Sequence, residues 1–127
     1  MNGRAFAAAT AGMLLLDLVW LGLIAKDLYR RELGHLMAPD VRWGAAALFY
    51  VLYGAGIAHF AVRGAPGPRQ AAVSGALLGL FAYGVYDLTN LALLAGWTVK
   101  ISLLDVAWGA CATALAAAAA ARVSQGA

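Results

Sequence analysis

The sequence contains few charged residues for its length. Only 12% of its 127 residues are Asp, Glu, Lys or Arg, whereas an ordinary soluble domain carries about 25%. A soluble fold of this size needs a polar outer surface, and so few charged side chains cannot supply one. Because 64% of the residues are hydrophobic and the mean hydropathy is +0.78, we expect residues 1–127 to form a single integral membrane domain.

Cysteine and histidine are also scarce. A lone cysteine, Cys111, excludes an internal disulfide and a cysteine metal cluster, and its Ala-rich surroundings suit a small packing residue. His35 and His59 do not stand at ligand spacing, so the sequence predicts no metal site. The sequence also lacks a haem or quinone ligand pair, a nucleophile elbow and a phosphate-binding glycine loop. We therefore expect no cofactor, and whether the protein is an enzyme stays open.

Four apolar stretches are long enough to cross a bilayer whose hydrocarbon core is about 30 Å thick. They cover residues 5–25, 43–62, 71–95 and 99–121. Alternation with a period of two is absent, so helices are favoured over the strands of a closed barrel. The connection of residues 96–98 is so short that the last two spans must be antiparallel neighbours. The sequence predicts an all-α, antiparallel bundle of four transmembrane helices.

The first connection, residues 26–42, is polar but keeps apolar side chains at helical spacing. These are Ala25, Tyr29, Leu33 and Leu36. The pattern predicts a short interfacial helix between spans one and two, ended by Pro39. In span three, Gly75 and Gly79 stand four residues apart, a spacing that allows close approach of a neighbouring helix.

The basic residues of the connections give the chain a formal net charge of +3. Since they flank membrane spans, they indicate contact with anionic membrane lipids and do not indicate nucleic acid. The two faces carry nearly equal numbers of basic residues, but the face of the termini has no acidic ones. We expect the termini to be cytoplasmic.

Three aspartates interrupt the apolar spans. Asp17, Asp87 and Asp105 each fall roughly 3 to 8 Å from the centre of their span, all toward the first and third connections. A charged side chain at this depth costs about 2.5–3.5 kcal/mol on insertion scales. The acids are therefore expected to turn inward and share one layer of the bundle.

Other polar and aromatic residues fall on the same helix faces at spacings of three or four residues. Facing lipid would leave their polar groups without partners, so we expect them to meet inside the bundle. The predicted pocket consists of Asp17, Trp20, Tyr50, Tyr83, Tyr86, Asp87, Asn90, Asp105 and Trp108.

Four strings of the sequence carry a resemblance to a known family. They are LDLVWL at residues 16–21, LFYVLYG at 48–54, GLFAYGVYDLTN at 79–90 and DVAWG at 105–109. Together these strings resemble the DUF2177 family of bacterial membrane proteins. The likeness covers nearly the whole chain, and Tyr86-Asp87-Leu88-Thr89-Asn90 is its most specific part. The resemblance implies a four-helix protein of the bacterial inner membrane. Relatives in this family are sometimes encoded beside enzymes that modify fatty acids, so the resemblance favours lipid handling.

Three functions fit these observations. In the first, the pocket binds, or helps to process, a lipid-like or amphipathic molecule. In the second, the protein is a small proton-coupled transporter, similar to small multidrug transporters in length, span number and an acid in span one, because several acids in a low-dielectric site cannot all be ionised. In the third, the polar residues only stabilise the packing of a structural subunit. A homo-oligomer or a membrane-enzyme partner is compatible with each.

Overall fold

The computed structural model describes residues 2–125, so the outermost residues of the predicted domain 1–127 lie outside the described part. Four helices are long and apolar enough to cross a membrane, and their bounds are Gly3–Ile24, Trp43–Val62, Pro68–Leu93 and Val99–Ser124. These bounds differ from the predicted spans by at most three residues, and residues 2–125 contain no strand. The prediction of an all-α bundle of four transmembrane helices is confirmed.

The first two spans each end in a π-helical segment, in which the turn is wider than in an α-helix. In span one, the Ala25 amide donates to the Trp20 carbonyl five residues earlier, at 2.6 Å. The elements in chain order are α1 (Gly3–Val19) with its π-helical segment Trp20–Ile24, α2 (Lys26–Leu33), α3 (Trp43–Gly56) with its π-helical segment Ile57–Val62, α4 (Pro68–Leu93) and α5 (Val99–Gln125).

The short helix expected between spans one and two is present as α2, followed by a single 3₁₀ turn at Gly34–Leu36. Ala25 and Leu33 are buried beneath it, as the apolar spacing predicts. Leu36 is exposed instead, and the helical structure ends before Pro39. The 3₁₀ turn takes the chain out of the α-helical register, which explains why the apolar pattern stops one turn early.

The last two spans pack closely along a seam of small residues. A Cβ atom added at Gly79 would meet the Gly109 carbonyl oxygen, and one added at Gly75 would lie 2.7 Å from the Thr113 carbonyl oxygen. Only glycine permits this approach, because any side chain would force the two backbones apart. The predicted role of Gly75 and Gly79 in helix contact agrees with this seam.

The second span is close to the last two spans at one end only. Its α-helical part, α3, packs on α1, whereas its π-helical segment Ile57–Val62 packs against both α4 and α5. The buried apolar core lies at this end and includes Met13, Ile57, Ala61 and Ala116. The bundle is therefore closed toward the second connection and wider toward the first connection.

Candidate functional site

The wide end of the bundle contains a cavity of about 820 Å³. All four spans and α2 contribute to its walls, which are mostly apolar. Seven of the nine residues predicted for a pocket line it, namely Asp17, Trp20, Tyr50, Tyr83, Tyr86, Asp105 and Trp108. The other two, Asp87 and Asn90, do not line it.

Asp17 joins three spans through its carboxylate. The Tyr50 hydroxyl donates to Asp17 Oδ2 at 2.7 Å, and the Trp108 indole Nε1 donates to Oδ1 at 2.9 Å. Asp17 is buried on α1, Tyr50 comes from α3 and Trp108 from α5. Both carboxylate oxygens therefore accept a hydrogen bond from a neutral aromatic donor, which offsets part of the cost of burying the acid.

A second set of contacts continues from Trp108 to Asp105. The Trp20 and Trp108 rings are stacked, with centroids 4.7 Å apart and planes 5° from parallel. The Trp20 Nε1 donates to the Tyr29 hydroxyl at 3.3 Å, and that hydroxyl donates to Asp105 Oδ1 at 2.7 Å. Asp17 and Asp105 thus belong to one continuous chain of contacts.

Trp20 is the first residue of the π-helical segment of span one, and π-helical turns are frequent at functional sites. The stacked ring places its indole nitrogen within reach of α2. The wider turn thus coincides with the point where span one meets the interfacial helix.

Asp87 lies in the seam between α4 and α5 rather than on the cavity wall. Its side chain is completely buried, and no N–H or hydroxyl group of residues 2–125 donates to either carboxyl oxygen. It interacts instead with the carboxyl group of Asp105. Asn90, one turn beyond, interacts with Tyr86.

Tyr53 and Tyr29 are the main cavity residues that sequence reasoning did not assign to the pocket. The Tyr53 hydroxyl lies 2.7 Å from Thr113 Oγ1, and its ring meets that of Tyr83 edge to face at 6.0 Å. Tyr53 stands three residues after Tyr50, which is a helical spacing that could have indicated it. The sequence predicts only that Tyr29 lies on the apolar face of the interfacial helix, because no local signal shows which span a docked interfacial helix reaches.

The electrostatics at the mouth of the cavity depend on α2. Lys26 and Arg30 line the cavity and are both exposed. Burial raises the pKa of the Tyr29 hydroxyl above its ordinary value, and the negative charge of Asp105 adds to this rise. Tyr29 therefore remains a hydrogen-bond donor at neutral and mildly alkaline pH. Among residues 2–125, no group of three or more His, Cys, Asp or Glu side chains is placed to hold a metal ion.

Comparison with known proteins identifies the family. A family model described as "predicted membrane protein (DUF2177)" matches residues 3–122. No curated protein and no solved structure matches the chain. Since the match covers nearly all the residues that build the four spans and the cavity, the chain belongs to the DUF2177 family of multi-pass membrane proteins.

Proposed function

We propose that this protein binds a lipid-like or amphipathic molecule in the cavity at the wide end of the bundle. The observation that carries the proposal is a mostly apolar cavity of about 820 Å³ with a few polar groups on its wall. Small-molecule sites typically enclose about 300–1,000 Å³, are lined mainly by apolar and aromatic side chains, and contain few orienting polar groups. Asp17, Tyr29 and Asp105 supply such groups here.

The separation of α3 from α4 supports entry of an apolar chain from the bilayer. Phe49 on α3 and Ala82 and Tyr86 on α4 all line the cavity and are all exposed. α3 packs closely on α1 but not on α4, so the exposed lining residues stand on either side of a gap between spans two and three. At this depth a membrane-embedded protein is surrounded by acyl chains, and a hydrocarbon tail could pass through the gap without crossing water.

Blocking the cavity tests this proposal. Ala82→Phe would place an aromatic ring in the cavity, whereas Ala92→Phe adds the same ring at an exposed position of α4 outside it. Binding can be followed by energy transfer to a dansyl-labelled amphiphile, because Trp20, Trp97 and Trp108 line the cavity. We expect at least about tenfold weaker binding for Ala82→Phe, equivalent to about 1.4 kcal/mol, and little change for Ala92→Phe. Equal binding by both variants would contradict the proposal.

Proton-coupled transport is the second candidate, favoured by the interaction of buried Asp87 with half-buried Asp105. A shared proton in this pair could be released when a substrate binds nearby. Purified protein in liposomes would then release protons on substrate binding, and Asp87→Asn would abolish that release. A substrate affinity that does not change with pH would count against coupling. If Asp87→Asn leaves folding, binding and proton release all unchanged, a structural role for this pair is the better explanation.

The location that fits this function is the bacterial cytoplasmic membrane, with both termini on the cytoplasmic side. Four spans bring both termini to one face, and that face carries basic but no acidic residues. After removal of the single cysteine by Cys111→Ala, Ser124→Cys and Asp40→Cys would report on opposite faces. In spheroplasts, a membrane-impermeant maleimide should label Asp40→Cys and spare Ser124→Cys. The reverse pattern would invert the orientation.

A further inference from the structure

We propose that the amphiphile bound by this cavity carries an anionic head, a carboxylate or a phosphate, held by Lys26 and Arg30. This inference rests on the proposed function and adds the charge and orientation of the ligand. Lys26 and Arg30 stand one helical turn apart on α2, and both line the cavity at its mouth.

The cavity face of α2 is basic, although the helix as a whole carries charges of both signs. At about 100° per residue, Tyr29, Leu33, Lys26 and Arg30 fall within an arc of about 100°, and all four line the cavity. The remaining charged residues of the helix lie outside this arc and do not line the cavity. They are Asp27, Arg31 and Glu32.

The two cations are not held by acids in the described part of the chain. Among residues 2–125, neither Lys26 nor Arg30 forms an ion pair or a side-chain hydrogen bond. The two acids that line the cavity bond to other groups, Asp17 to Tyr50 and Trp108, and Asp105 to Tyr29. The mouth of the cavity therefore carries two positive charges that are not engaged in an ion pair and can attract an anion.

The same charges set the orientation of the ligand. An anionic head is repelled by Asp17 and Asp105 on the cavity wall and attracted by Lys26 and Arg30 at its mouth. Its hydrocarbon tail then lies along the apolar lining, which includes Leu21, Phe49 and Ala82. This arrangement keeps the charge beside the interfacial helix and the tail at the depth of the acyl chains, as in the surrounding lipids.

Ligands that differ only in head charge test the inference. The protein is placed in nanodiscs of uncharged phosphatidylcholine, and an uncharged dansyl-labelled dodecyl amide serves as the probe. Laurate, dodecyl phosphate, dodecanol and dodecyltrimethylammonium compete for the site. We expect the better of the two anions to displace the probe at about twenty-five-fold lower concentration than uncharged dodecanol, since each Lys or Arg contributes about a five-fold preference, and the cation to be the weakest competitor. Comparison of laurate with dodecyl phosphate shows which anionic head is preferred.

Four variants separate the cavity charges from general surface charge: the double substitution at Lys26 and Arg30, its two single substitutions, and Arg31→Gln. Lys26→Gln with Arg30→Gln should erase the preference for anions while dodecanol binds as before. Arg31→Gln removes a cation from the same helix but outside the cavity face, and should keep the preference. If the double variant retains the preference, or Arg31→Gln reduces it as much as either single substitution, the inference is wrong. If no amphiphile of any charge displaces the probe, the proposed function itself fails.

Discussion

The seam between α4 and α5 gives a sharp prediction, because α4 contains two glycines in contrasting surroundings. A Cβ atom added at Gly79 would meet the Gly109 carbonyl oxygen and would lie 2.7 Å from Thr113 Oγ1. A Cβ atom added at Gly84, five residues later, would have no heavy atom within 4 Å. Gly79→Ala and Gly84→Ala therefore make the same chemical change with and without a steric conflict.

The difference between the two variants isolates the steric cost. Gly→Ala stabilises a helix interior by about 0.8–1.0 kcal/mol through backbone entropy, and this gain is common to both variants. Overpacking a close contact costs about 1–3 kcal/mol, and at Gly79 the obstacle includes a backbone oxygen, so the two helices must separate. We expect Gly79→Ala to be less stable than Gly84→Ala by about 1–3 kcal/mol.

Reversible unfolding in mixed micelles, with increasing mole fraction of dodecyl sulfate and tryptophan fluorescence as the readout, measures this difference. Gly84→Ala should match or exceed the stability of the unsubstituted protein, while Gly79→Ala should unfold at lower dodecyl sulfate. Equal free energies of unfolding for the two variants would show that α4 and α5 are not packed along this seam. The position of Asp87 beside Asp105 would then lose its structural basis.

Three further predictions concern the tyrosines. Tyr53→Phe and Thr113→Val should each lower the free energy of unfolding, and their double-mutant cycle should give a coupling of about 0.6–1.5 kcal/mol from the shared hydrogen bond; additive effects would contradict the bond. Tyr29→Phe should speed amide hydrogen exchange in α2, because it removes the bond to Asp105. Burial raises the pKa of the Tyr29 hydroxyl above its ordinary value of 10.0. The stability that this hydroxyl contributes is therefore complete below pH 10.0 and is lost as the pH rises through the raised pKa. Ultraviolet difference titration against Tyr29→Phe should therefore show that the Tyr29 phenolate forms at a higher pH than the phenolate of an exposed tyrosine.

The positions of the spans could be predicted from the sequence, but the rotation of each helix could not. Hydropathy locates a span because the bilayer imposes a length, and it places Asp17, Tyr50 and Trp108 at similar depths. Depth alone does not show that Tyr50 and Trp108 both turn toward Asp17. For these three residues the missing information comes from the high cost of unpaired polar groups in the membrane, which predicts that they turn toward one another.

For Asp87, the rotation of α4 differs from the predicted one and places the side chain away from the cavity. Its spacing of four residues from Tyr83 predicts that both side chains share a face, yet only Tyr83 lines the cavity. Asp87 instead continues the buried series Ala71, Gly75 and Gly79 toward α5. Steps of four residues advance about 40° around a helix, so a series at this spacing drifts away from its partner helix. The shape of the partner helix then determines which side chain of the series also reaches the cavity. Tyr83 reaches the cavity because its large ring extends across Gly109 of α5, where an added Cβ atom would collide with it.

A gradient of side-chain size along the bundle explains both the cavity and most of its polar groups. Buried side chains at the closed end are mainly alanines, whereas large aromatic side chains line the wide end and hold the spans apart. The hydroxyl and indole groups of these aromatic residues need partners in an apolar medium, and Asp17 and Asp105 supply them. Packing and hydrogen bonding therefore account for these two acids without any ligand.

The same reasoning does not account for the remaining charges. Lys26 and Arg30 face the cavity without a partner among residues 2–125, and Asp87 is buried without a donor from the part of the chain that the structure describes. A purely structural role would favour an uncharged residue at Asp87, because an unpaired buried charge costs stability and adds nothing to packing, and it gives no reason for exposed Lys26 and Arg30 to line the cavity. Substitution of the unpaired cations, rather than of the hydrogen-bonded acids, is therefore the test that separates a binding protein from a structural subunit. Ligand competition in the Lys26 and Arg30 variants, with Arg31→Gln as the control, bears directly on that distinction.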